Sequence, residues 1–62
     1  MDWIYDEDTK TYRLIDDETG KLVGEVVESD GQYNVYYSSK RVLLGTMPTL
    51  TEAKYLVEEY YV

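Results

Sequence analysis

The sequence predicts an α+β fold, an antiparallel β-meander of three to five strands packed against one C-terminal α-helix. Three observations carry that prediction. Short runs rich in β-branched and aromatic residues recur as far as Thr46, each bounded by Gly, Asp, Thr or Ser. Asp30-Gly31 is a strong two-residue hairpin signal. After Pro48 the apolar spacing lengthens from two residues to three and four, and it opens on a helix cap.

The elements follow in order. Trp3-Ile4-Tyr5 starts an extended segment over about 3–5, and YDEDTKT is a polar turn. TYRLI reads as a strand over 11–15, and DDETGK as a hairpin loop in which Gly20 supplies a positive φ. KLVGEVVE forms a strand over 21–28, with Leu22, Gly24 and Val26 pointing one way and Val23, Glu25 and Val27 the other. A glycine inside a strand marks a bulge or a close packing contact. After the Asp30-Gly31 turn come strands over 32–38 and 41–46, joined tightly at Ser39-Lys40. In the last strand Val42, Leu44 and Thr46 are expected on one face, and Leu43 and Gly45 on the other. Met47-Pro48 ends the sheet, because proline cannot donate to a ladder. Thr49 and Glu52 form a capping box, and Leu50, Ala53, Leu56, Val57 and Tyr60 give a helix over about 50–61. Lys54 and Glu58 are i,i+4 neighbours on its outer side. Sixty-two residues make one domain.

Composition narrows the chemistry. The chain has no cysteine and no histidine, which removes disulfides, thiolate metal sites and the commonest general base. The acid clusters DEDTK and DDETG lack the ligand spacing of a calcium loop, and no phosphate-binding glycine motif is present. The reading is a non-catalytic protein with no cofactor and no metal. The start MDWIYDED lacks the features of a signal peptide, and no apolar run approaches the ~20 residues of a membrane span. These point to the cytoplasm, the host cell's if the chain is viral.

Charge is the strongest deviation. Residues 1–30 hold ten acids (Asp2, Asp6, Glu7, Asp8, Asp16, Asp17, Glu18, Glu25, Glu28, Asp30) against Lys10, Arg13 and Lys21, a net −7. Residues 31–62 hold Glu52, Glu58 and Glu59 against Lys40, Arg41 and Lys54, a net zero. A nucleic-acid binder normally carries the opposite sign, so nucleic acid is not the expected partner.

The strand GQYNVYY raises the second functional clue, an aromatic on each face. One helix covers one side of a sheet. The side formed by Leu22, Val26, Tyr33, Val35, Tyr37, Val42 and Leu44 is expected beneath it. Val23, Val27, Tyr36 and Leu43 then lie on the other side, to be covered by the N-terminal segment or by a partner. Tyrosine suits such a surface, since its ring buries while its hydroxyl stays hydrogen-bonded.

These features predict an acidic module that binds a basic protein surface and inhibits a nucleic-acid-handling protein of a phage's host, partly by mimicking nucleic acid. The candidate contacts are Asp6, Glu7, Asp8, Asp16, Asp17, Glu18, Glu25 and Glu28, with Trp3, Tyr36 and Leu43 as apolar anchors. An assembly subunit that self-associates weakly through the sheet is the alternative.

Residues 31–59, GQYNVYYSSKRVLLGTMPTLTEAKYLVEE, also resemble small phage-encoded domains with a sheet and a C-terminal helix, of the AP2 type and of integrase N-terminal arms. The shared pattern is a G-x-Y strand, a basic hairpin, a G-T ending and a T-x-x-E-A helix. That resemblance implies the same topology and a sheet that enters a DNA groove, with Lys40 and Arg41 on the corresponding hairpin.

Overall fold

Each strand of the chain folds back on the one before it. The computed structural model describes residues 2–38 and 40–60. It holds β1 (Asp2–Asp6), β2 (Thr11–Ile15), β3 (Leu22–Ser29), β4 (Gln32–Tyr37) and β5 (Val42–Met47), followed by helix α1 (Leu50–Tyr60). The strands form one antiparallel sheet in the order β1-β2-β3-β4-β5. This is the α+β meander the sequence predicts.

Local chemistry explains the connections. Asp30 and Gly31 take φ values of 51° and 76°, the left-handed pair that a tight hairpin turn needs. Gly20 has φ 70° and closes the β2–β3 loop, where its amide donates to the Asp16 carbonyl at 2.7 Å. The helix starts where the capping box places it, with the Glu52 amide donating to Thr49 Oγ1 at 3.3 Å. The expected helix end at residue 61 and the Ser39 half of the Ser39-Lys40 turn lie outside the described residues.

The helix lies on β3, β4 and β5. Ala53 and Val57 are its buried face, and they meet Leu14, Val23, Val26 and Val35 in a six-residue core. Trp3, Tyr12, Tyr33, Tyr37, Leu44, Met47, Leu50 and Leu56 surround that core half-buried. Gly24 sits at the closest approach. A Cβ there would lie 2.7 Å from Val57 Cγ1 and 2.8 Å from the Tyr36 carbonyl oxygen. The glycine in KLVGEVVE therefore marks a packing contact.

Several of these expectations are corrected. The N-terminal segment does not fold over the uncovered side; it pairs with β2 and becomes an edge strand. Its Trp3 lies on the helix side, where the Lys54 ammonium stands 5.4 Å from the Trp3 ring centre and 5.2 Å from that of Tyr12. Lys54 thus turns inward, not out toward Glu58. In β5, Val35 pairs with Gly45 and Tyr36 with Leu43, so Leu44 is the extra residue of a bulge. The bulge shifts the alternation, so Gly45 faces Leu56 of the helix while Thr46 joins Leu43 on the other side, its Oγ1 donating to Asn34 Oδ1 at 2.9 Å. Val42, expected under the helix, is 53% exposed at the sheet edge. In β3, Leu14 pairs with Gly24 and Ile15 with Leu22, so Val23 is a second extra residue and Leu22 leaves the phase of Gly24. Val23 itself is buried.

Gly24→Ala should cost about 1–3 kcal/mol, because one of the two atoms it meets is rigid backbone. Chemical denaturation of Gly24→Ala, Val57→Ala and the double variant checks this. The double variant should lose less than the sum of the singles, since Val57→Ala removes one of the two clashes.

Candidate functional site

Because strand order equals chain order, the charge asymmetry of the sequence becomes an asymmetry in space. β1 to β3 and their turns carry the net −7, while β4, β5 and α1 are neutral. The candidate acids fall at both ends of this half. Asp6, Glu7, Asp8 and Glu28 lie near the β1–β2 and β3–β4 turns, where the Glu28 amide donates to the Lys10 carbonyl at 3.1 Å. Asp16, Asp17 and Glu18 lie at the β2–β3 turn, the opposite end of the strands. A five-residue strand separates the groups by ~17 Å.

Glu25 stands apart from both. It is 7% exposed, in the middle of β3 on the side without the helix. Its Oε1 accepts from Arg13 Nε at 3.0 Å, and its Oε2 lies 3.4 Å from Arg41 Nε. Arg13 Nη1 also reaches Asp6 Oδ2 at 3.2 Å. The Arg41 guanidinium lies 4.6 Å from the centre of the Tyr36 ring. The result is a ladder across the sheet, Asp6–Arg13–Glu25–Arg41, with Tyr36 beneath Arg41. The hydrogen bond from Arg13 holds the Asp6 carboxyl below its ordinary pKa, helped by the Asp8 amide. Glu25 and Asp6 in turn raise that of Arg13.

This geometry sorts the candidate contacts. Glu7, Asp8, Asp17 and Glu18 are exposed. Asp6, Asp16 and Glu28 are half-buried. Glu25 is buried and enclosed by Arg13 and Arg41. Tyr36 and Leu43 sit side by side by register, with Leu43 57% exposed. Trp3 is on the opposite side of the sheet, below Lys54. Two residues outside the candidate set also lie on the uncovered side. Arg13 and Ile4 stand in register with Glu25, Tyr36 and Leu43, and Ile4 is 54% exposed. The Asp30-Gly31 turn already fixes Glu25 opposite Tyr36, and that register was the available signal.

Among the described residues, no three acidic side chains converge as metal ligands. Among the same residues, no helix is long and apolar enough to cross a membrane. Comparisons with family models, with curated proteins and with solved structures find no match to this chain.

Arg13→Ala should destabilise the fold by about 1–3 kcal/mol, because it strips a charged hydrogen bond from the buried Glu25. Arg41→Ala should cost less than ~1 kcal/mol, its longer contact coming from a guanidinium more than half exposed. Thermal denaturation of the two variants checks the order. Asp6 adds a pH signature. Its folded pKa is depressed, so its contribution is present above the ordinary carboxylate value of ~3.9 and is lost as pH falls through the lower folded value. The stability gap between wild type and Asp6→Asn should therefore close in strong acid and persist at neutral pH.

Proposed function

We propose that this chain is a non-catalytic binding module whose acidic β1–β3 half engages a basic protein surface, inhibiting a nucleic-acid-handling protein by occupying its phosphate-binding groove. The supporting observation is the sequential strand order, which concentrates the net charge in one half of the molecule. A charge of one sign on one side steers association with an oppositely charged cleft. Glu25 is compensated by Arg13 and Arg41, so the anions best placed for a partner are the exposed Glu7 and Asp8 at one end of the strands and Glu18 at the other. Their two groups stand ~17 Å apart, close to the rise of ~5 base pairs at 3.4 Å each.

Competition tests this reading. The chain is titrated against labelled duplex DNA held by each of a panel of basic nucleic-acid-binding proteins, at ~0.05 and ~0.2 M salt. It should displace the duplex from at least one of them, and much less well at the higher salt. Combined Glu7→Lys and Glu18→Lys should weaken displacement by ~10-fold or more while leaving the fold intact. Displacement that survives the charge reversal contradicts the proposal. Direct binding of the duplex by the chain itself would instead favour the integrase-arm resemblance.

A further inference from the structure

The two edges of the sheet differ in kind. The β1 edge, DWIYD, begins and ends on aspartate and borders the acidic turns. The β5 edge, VLLGTM, has no charged residue and no proline within it, and among the described residues no strand lies beyond it. Val42 and Leu43 are more than half exposed there. Natural sheets usually guard such an edge with charge or proline. Its free backbone groups fit another extended strand.

We propose that the β5 edge pairs with β5 of a second copy of this chain, antiparallel about a two-fold axis, to give a continuous ten-stranded sheet. Self-complementarity argues for the second copy. Centring the axis between Leu44 and Gly45 sets Val42 opposite Met47, Leu43 opposite Thr46, and Leu44 opposite Gly45. In a regular strand, residues paired in this way would point to opposite faces. The Leu44 bulge shifts the phase, so Val42 and Met47 share the helix side while Leu43 and Thr46 share the other. At the centre the large Leu44 meets a glycine.

Charge favours the same pairing. The associating halves are neutral, and the acidic β1 edges end up at the two extremities, ~43 Å apart and well beyond a Debye length of ~10 Å. Pairing through β1 would press the two acidic halves together. The antiparallel register also brings the exposed Lys40 of one copy to the end of β5 that leads into the exposed Glu52 of the other. One six-residue strand pair is smaller than the ~1,200 Å² of a stable interface, so the dimer is concentration-dependent. This inference is independent of the binding reading above; if both hold, the dimer presents two acidic edges to a repeated target.

Sedimentation equilibrium up to ~1 mM decides it. The wild type should pass from monomer to dimer, and Val42→Lys with Leu43→Lys should stay monomeric with an unchanged circular dichroism spectrum. A wild type that is monomeric throughout, or a dimer indifferent to these substitutions, overturns the proposal. If the lysine variant fails to fold, cysteine pairing decides, since the chain has no cysteine of its own. Mixed Leu43→Cys and Thr46→Cys chains should oxidise mainly to the mixed disulfide. Statistical pairing or no cross-link contradicts the register.

Discussion

Val57 of α1 rests on a glycine. At position 24 a single added carbon would fall 2.7 Å from the valine and 2.8 Å from the β4 backbone, so the helix can sit this deep only because β3 offers no side chain there. The depth lets an eleven-residue helix reach Val26 and Val35 with just two fully buried residues of its own, Ala53 and Val57. Four consecutive residues of β3, Val23 to Val26, are buried. The central strand is thus covered on both sides, though by different materials. The helix covers one side with aliphatic contacts. Arg13, Arg41 and Tyr36 cover the other around Glu25.

That second layer changes the character of the uncovered side. The sequence suggests an apolar surface awaiting a cover, yet the structure closes its middle with an ion ladder and leaves Ile4 and Leu43 exposed at its two margins. A carboxylate taken out of water is tolerable when two guanidiniums and their hydrogen bonds compensate it, whereas losing one partner leaves the charge costly. The ladder also pins register across β1, β2 and β3 and joins the β4–β5 turn to them. With Glu25 neutralised, the electrostatic character of the surface is set at the turns.

Much of the architecture was legible because its signals are local. A two-residue turn, a threonine helix cap and a glycine within a strand each state their conformation within a few residues, and Asp30-Gly31, Thr49 and Gly24 all fold accordingly. The misreadings came from features that alternation cannot carry. The Leu44 and Val23 bulges reset the phase of their strands, which moved Thr46 and Leu22 away from their expected faces. The fate of the N-terminal segment depended on the free edge of β2, a tertiary property. The candidate site divides in the same way. The asymmetry of charge is a sequence property that survives folding because neighbours in the chain are neighbours in the sheet. The burial of Glu25 requires three strands in register and a turn that returns Arg41 to them, and no short stretch of sequence states that.

Amide hydrogen exchange tests most directly the claim that the seat of α1 on Gly24 organises the molecule. The amides of Val26, Val35, Ala53 and Val57 should be the slowest and should exchange together in one cooperative opening, with β1 exchanging well before them. Exchange of the helix ahead of β3 and β4, or protection of β1 equal to theirs, would contradict it.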